Sequence, residues 1–72
     1  MKESDFKAYV HDRNLYITHN ITEEVEYRLI NLSGVTINRT WTKGEEVIDL
    51  NYLAKGVYIL SNGVQSKKII LQ

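Results

Sequence analysis

Between Glu24 and Ile30, apolar and charged residues alternate without a break: Val25, Tyr27 and Leu29 against Glu24, Glu26 and Arg28. A period of two sends successive side chains to opposite faces, so this segment predicts a β-strand with one buried and one solvated face. No stretch carries helical periodicity beyond about one turn. A chain patterned this way has to bury its strands against one another.

The punctuation supports that reading. With no proline and four glycines in 72 residues, asparagine and aspartate become the main turn formers. They divide the chain into apolar segments at Phe6 to Val10, Leu15 to Thr18, Glu24 to Ile30, Val35 to Thr42, Glu46 to Leu50, Val57 to Leu60 and Val64 to Leu71. Asn31-Leu32-Ser33-Gly34 supplies a hairpin turn into a strand whose Val35, Ile37, Arg39 and Trp41 share one face, with Thr36, Asn38, Thr40 and Thr42 on the other. Asp49 can cap one helical turn that points Leu50 and Leu53 inward and ends at Gly56. Asn62-Gly63 suits a type I′ turn between the last two strands. The expectation is an all-β, seven-stranded antiparallel Ig-like sandwich with one short helical turn, forming a single domain over residues 1–72.

Composition narrows the function classes. Nine basic and nine acidic residues cancel, leaving no net field of the kind a nucleic-acid binder uses, so no nucleic-acid partner is expected. The balance is uneven along the chain: residues 50–72 hold Lys55, Lys67 and Lys68 and no acid. The longest apolar run, Val57 to Leu60, is far short of the roughly 20 residues that cross a bilayer as a helix. Met1-Lys-Glu-Ser-Asp is too polar to open a signal peptide, so Met1 begins either a cytoplasmic protein or a fragment of a longer exported one. The absence of cysteine excludes disulfides and thiol chemistry.

The candidate chemistry is thin. His11 and His19 lie eight residues apart without a third ligand at diagnostic spacing and read as surface loop residues, so no metal site is expected. Ser4, Ser33, Ser61 and Ser66 sit in or beside turns with no Gly-x-Ser-x-Gly elbow. Carboxylates cluster at Glu23, Glu24 and Glu26 and at Glu45, Glu46 and Asp49, but no Asp-x-Asp-x-Asp-Gly type calcium loop accompanies them. Trp41 with Tyr9, Tyr16, Tyr27, Tyr52 and Tyr58 could build a glycan or peptide platform, although Tyr27 and Tyr58 lie within strands and read as core. Neither enzymatic activity nor a cofactor is expected.

Three strings carry a resemblance. Tyr27-Arg28-Leu29-Ile30-Asn31-Leu32-Ser33-Gly34 is followed by Ile48-Asp49-Leu50-Asn51-Tyr52-Leu53-Ala54-Lys55-Gly56-Val57-Tyr58-Ile59-Leu60, and the chain closes on Lys67-Lys68-Ile69-Ile70-Leu71-Gln72. In this order and spacing they resemble the type A C-terminal sorting domain of type IX secretion, over about residues 14–72. The family's Tyr-Pro-Asn-Pro opening has no counterpart, since Tyr9-Val10-His11-Asp12-Arg13-Asn14 stands in that place. The resemblance implies a noncatalytic recognition module that takes an upstream cargo through the periplasm and the outer-membrane translocon to the cell surface or the medium. It implies a shuttle protein and a surface sortase as partners. It assigns folding roles to Asn31, Leu32, Gly34, Leu50, Leu53, Gly56 and Tyr58, and recognition to Lys67, Lys68, Ile69, Ile70, Leu71 and Gln72. In the last strand, Lys67 and Lys68 are expected near Gln72 while Ile69 and Leu71 face the core.

The rival reading is a stand-alone Ig-like module that binds protein or glycan. Under either, any homodimer is expected to form by strand pairing or exchange rather than by a side-chain patch, because Val35 to Thr42 carries only Arg39 as a charge to guard its edge.

Overall fold

The computed structural model describes residues 6–20 and 22–72, so Ser4 and Ile21 lie outside the described residues. The described residues form seven strands: β1 (Phe6–His11), β2 (Asn14–His19), β3 (Val25–Ile30), β4 (Thr36–Thr42), β5 (Glu45–Asp49), β6 (Gly56–Ser61) and β7 (Ser66–Leu71). One sheet has the order β1-β2-β5 and the other β4-β3-β6-β7, with every pairing antiparallel. The sequence-predicted sandwich is therefore the fold.

Period two sorts the core. Phe6, Leu15 and Ile17 from the three-stranded sheet meet Tyr27, Leu29, Tyr58, Leu60, Ile69 and Leu71 from the four-stranded one, all buried. Leu50 is wholly buried where the chain crosses from β5 toward β6, and Leu53 packs against the cluster while partly exposed. Burial of this apolar surface, at roughly 25 cal/mol per Å², is the main favourable term holding the two sheets together.

Three local expectations need correction. Asp49 does organise the chain after β5, its Oδ1 accepting from the Asn51 amide at 2.8 Å, and Leu53 N donates to Leu50 O at 3.0 Å. This is one hydrogen-bonded turn, and no helix occurs among the described residues.

In β4 the register shifts between Leu29 and Ile30 of its partner: Leu29 faces Asn38 whereas Ile30 faces Thr36, so Ile37 is an extra residue. An unpaired residue reverses the alternation beyond it. Ile37 packs on the core, Asn38, Thr40 and Thr42 then share the face of Leu29, Tyr27 and Val25, and Arg39 and Trp41 point outward. Val35, expected on the same face as Ile37, is exposed outside the strand.

The type I′ geometry belongs to the first hairpin. Asp12 and Arg13, the two residues between the paired His11 and Asn14, have φ of 57° and 62°. The β6–β7 loop is longer: Ser61 pairs with Ser66, and Asn62 Oδ1 accepts from the amides of Val64 and Gln65 at 2.9 and 2.8 Å, with Gly63 at φ 92°. Asn62 caps the loop with its side chain, and the last strand begins at Ser66.

Candidate recognition surface

The hairpin between β3 and β4 is built around Asn31. Its carbonyl accepts from Gly34 N, its amide donates to Val35 O, and its Oδ1 accepts from Ser33 N and Val35 N, all between 2.9 and 3.0 Å. Gly34, at φ 87°, occupies a conformation that a Cβ would strain. Leu32 sits at the tip, 73% exposed. Farther on, Leu50 and Tyr58 are buried, and the Tyr58 hydroxyl donates to Ala54 O, tying the loop back onto β6. Gly56 opens β6. Asn31, Gly34, Leu50 and Tyr58 thus have visible structural work, whereas Leu32 makes none inside the domain.

The last strand divides its residues by parity. Ile69 and Leu71 are buried, while Lys68, Ile70 and Gln72 point away from the core. Ile70 is 52% exposed and lies opposite Val57, Lys68 lies opposite Ile59, and Ile59 in turn lies opposite Ile30. The outer face of the four-stranded sheet therefore carries an apolar row, Ile70, Val57, Ile59 and Ile30, running across β7, β6 and β3 beside Lys68 and Arg28. An antiparallel sheet that faced only water would normally place polar residues there.

Lys67 belongs elsewhere. By parity it falls on the core side with Ile69, but at the mouth of the sandwich its ammonium group swings over the Phe6 ring, 5.3 Å from the centroid. Five residues of extended strand, roughly 17 Å, separate it from Gln72. The expectation that Lys67 stands near Gln72 does not hold in this geometry.

Gln72 is held by Arg13, which no motif in the sequence marks. The Arg13 guanidinium donates through Nη1 to Gln72 O at 2.8 Å and through Nη2 to Leu53 O, and Arg13 O accepts from Leu50 N at 2.9 Å. One side chain in the first hairpin thus joins the Leu50–Leu53 turn to the end of β7. Arg13, with Val10, Asp12, Ile70 and Gln72, outlines a shallow depression at that end. No local signal marks Arg13, because its partners are 40 and 59 residues away.

The histidines separate. His11 is exposed, as expected, but His19 is buried, 7% exposed, with Nδ1 2.7 Å from the Tyr27 hydroxyl. It continues the alternation Leu15, Ile17, His19, a signal that was present in the sequence. Burial pushes the Tyr27 phenol above its ordinary value of 10.0, against a smaller opposing hydrogen bond from the Asn62 side chain. The Asn51 backbone amide, then its side chain, hold the Asp49 carboxyl below its ordinary value of 3.8. Among the described residues no group of three His, Asp or Glu side chains is placed to hold a metal ion.

With this geometry in view, comparison with known families is decisive. Residues 11–72 match the family described as the secretion system C-terminal sorting domain. The chain belongs to that family. The match takes in every strand but most of β1, including Arg13, the Asn31 hairpin and the terminal strand. No curated protein and no solved structure matches the chain. The family is that of type IX secretion signals, which implies a secreted or exported cargo, and its domains are generally noncatalytic.

Proposed function

We propose that this domain is a noncatalytic recognition module that directs an upstream, exported cargo through the type IX translocon, by way of the periplasm, to the cell surface or the medium. A shuttle protein and a surface sortase are its partners on this reading. The observation that carries it is the division of the terminal motif: Ile69 and Leu71 lock β7 into the core, leaving Lys68, Ile70 and Gln72 outward in a fixed array. That array runs into the apolar row of Val57, Ile59 and Ile30, which gives a partner a surface to bury. Of the six terminal residues, Lys68, Ile70 and Gln72 are the ones the machinery contacts; Ile69 and Leu71 shape the strand, and Lys67 caps the Phe6 end.

The test is a fusion of residues 1–72 behind a signal peptide and a reporter in a type IX host. Removing Lys67 to Gln72 would also delete two core residues, so the informative variant is Lys68→Glu with Ile70→Glu, confirmed as folded in isolation. Surface delivery of the parent with periplasmic retention of the folded variant supports the proposal. Equal delivery of both, or retention of both, sinks it.

The rival reading, a stand-alone module for protein or glycan, draws on the other sheet. There Tyr9 and Tyr16 stack at 4.9 Å and 8°, and Tyr16 pairs with the exposed Val47. Retention of both fusions would favour this face.

A further inference from the structure

At the end of the sandwich away from Gln72, the start of β1, the end of β2 and the start of β7 enclose an open cleft of about 600 Å³ lined by Phe6, Lys7, Thr18, His19, Asn20 and Lys67. Among the described residues its charge has one sign. The one ion pair among the described residues is Arg28 with Glu26, on the outer face of the other sheet, so neither cleft lysine meets a carboxylate there. Lys67 is held over the Phe6 ring, and a lysine kept in place without a counter-ion has its donors free.

The cleft wall contains a second feature. His19 lines the cleft and is buried, and its Nδ1 lies 2.7 Å from the hydroxyl of the equally buried Tyr27. The hydroxyl donates to Nδ1 or accepts from it according to the tautomer of the ring. When the hydroxyl donates to Nδ1, the neutral imidazole carries its ring proton on Nε2. This Nε2 is buried and has no hydrogen-bond partner among the described residues. A buried ring nitrogen without a hydrogen-bond partner costs about 1–3 kcal/mol, which is uncommon in a native fold.

We propose that the cleft is an oxyanion site. Lys7 and Lys67 supply the charge, the Thr18 hydroxyl and the Asn20 amide supply neutral donors, and the His19 Nε2–H is the wall donor that an incoming carboxylate or phosphate oxygen satisfies. In this proposed site the Tyr27 hydroxyl donates to His19 Nδ1, which leaves the ring proton on Nε2 for the anion. This site is distinct from the outer face of β7 and does not depend on the sorting role.

The experiment is a titration of the ¹⁵N-labelled domain with inorganic phosphate and, separately, acetate, at constant ionic strength, followed by NMR. Saturable shifts at Thr18, His19, Asn20 and Lys67, with half-saturation at roughly millimolar anion, are expected, together with a His19 Nε2 signal of the protonated type. Saturation by phosphate alone assigns the site to a phosphoryl group, and saturation by acetate assigns it to a carboxylate such as a partner's acidic side chain. Lys7→Gln, whose side chain is exposed, should weaken binding about tenfold or more, whereas Lys68→Gln on the outer face should leave it unchanged. Lys67→Gln should match Lys7→Gln if it folds without its ring contact. Non-saturable drift with both anions, or full affinity in Lys7→Gln, overturns the proposal whatever Lys67→Gln does.

Discussion

Arg13→Ala should loosen the end of β7 and the Leu50–Leu53 turn together, because one guanidinium serves both. The bond to Gln72 O is exposed and the bond to Leu53 O is partly buried. With net contributions of about 0.5 and 1.5 kcal/mol for hydrogen bonds in those settings, the loss is about 2 kcal/mol. For a domain of this size that lowers Tm by about 8–16 °C. Arg13 also sits at φ 62°, where any residue with a Cβ is strained by roughly 1 kcal/mol. Arg13→Gly removes the same two bonds but relieves that strain, so it should recover about half the loss, and Arg13→Lys should behave like the alanine variant because a point charge cannot span both carbonyls. Thermal unfolding followed by circular dichroism measures all three. If Arg13→Ala melts within about 2 °C of the parent the bridging argument fails, and if Arg13→Gly is the less stable of the two the strain argument fails.

Leu50→Ala should cost about 2–5 kcal/mol and Leu53→Ala roughly half as much, since Leu50 is wholly buried and Leu53 only partly so; equal midpoint shifts in urea would contradict that order. The raised Tyr27 pKa contributes stability that is complete below pH 10 and is lost as pH rises through the folded value, at no more than about 1.4 kcal/mol per pH unit. Tyr27→Phe, though less stable overall, should therefore lose less than the parent between neutral and strongly alkaline pH in urea titrations, and parallel pH profiles would refute it. A homodimer, where one forms, should pair through the β4 edge, whose single charge is Arg39; sedimentation showing only monomer at millimolar concentration would argue against it.

Period two carried most of the fold. The alternation in β3, the parity of Ile69 and Leu71, and the Asn31-Leu32-Ser33-Gly34 turn were legible because each depends on neighbours within a few residues. The bulge at Ile37 was not, since an inserted residue leaves no local mark and is revealed only by pairing with β3. Chemistry misled in two places. The polarity of His19 points to the surface, whereas its parity with Leu15 and Ile17 puts it inside, where the Tyr27 hydroxyl gives it a hydrogen-bond partner. Asn62-Gly63 was read from its preferred hairpin, whereas the open type I′ position fell to Asp12 and Arg13, which local propensity does not favour. At the terminal strand the motif was visible as a string, but the assignment of Lys67 to the Phe6 end and of Gln72 to Arg13 rests on contacts across the whole chain.

The division of the terminal motif bears on why a secretion signal would be a folded domain rather than a tail. In an unfolded chain the six side chains from Lys67 to Gln72 are equally available, and the partner must immobilise each backbone bond that it reads, at about 1–2 kcal/mol per residue. In the folded strand Ile69 and Leu71 are withdrawn, and Lys68, Ile70 and Gln72 stand at spacings of roughly 6.6–6.8 Å on one side, with the ordering already complete. The two edges of this sheet are not equivalent: β7 lies against β1 where the sheets meet, whereas β4 has no neighbour beyond it among the described residues. Strand addition is thus easier at β4, and β7 offers its face. On the proposed reading the machinery docks on that face, and self-association through the β4 edge leaves it free.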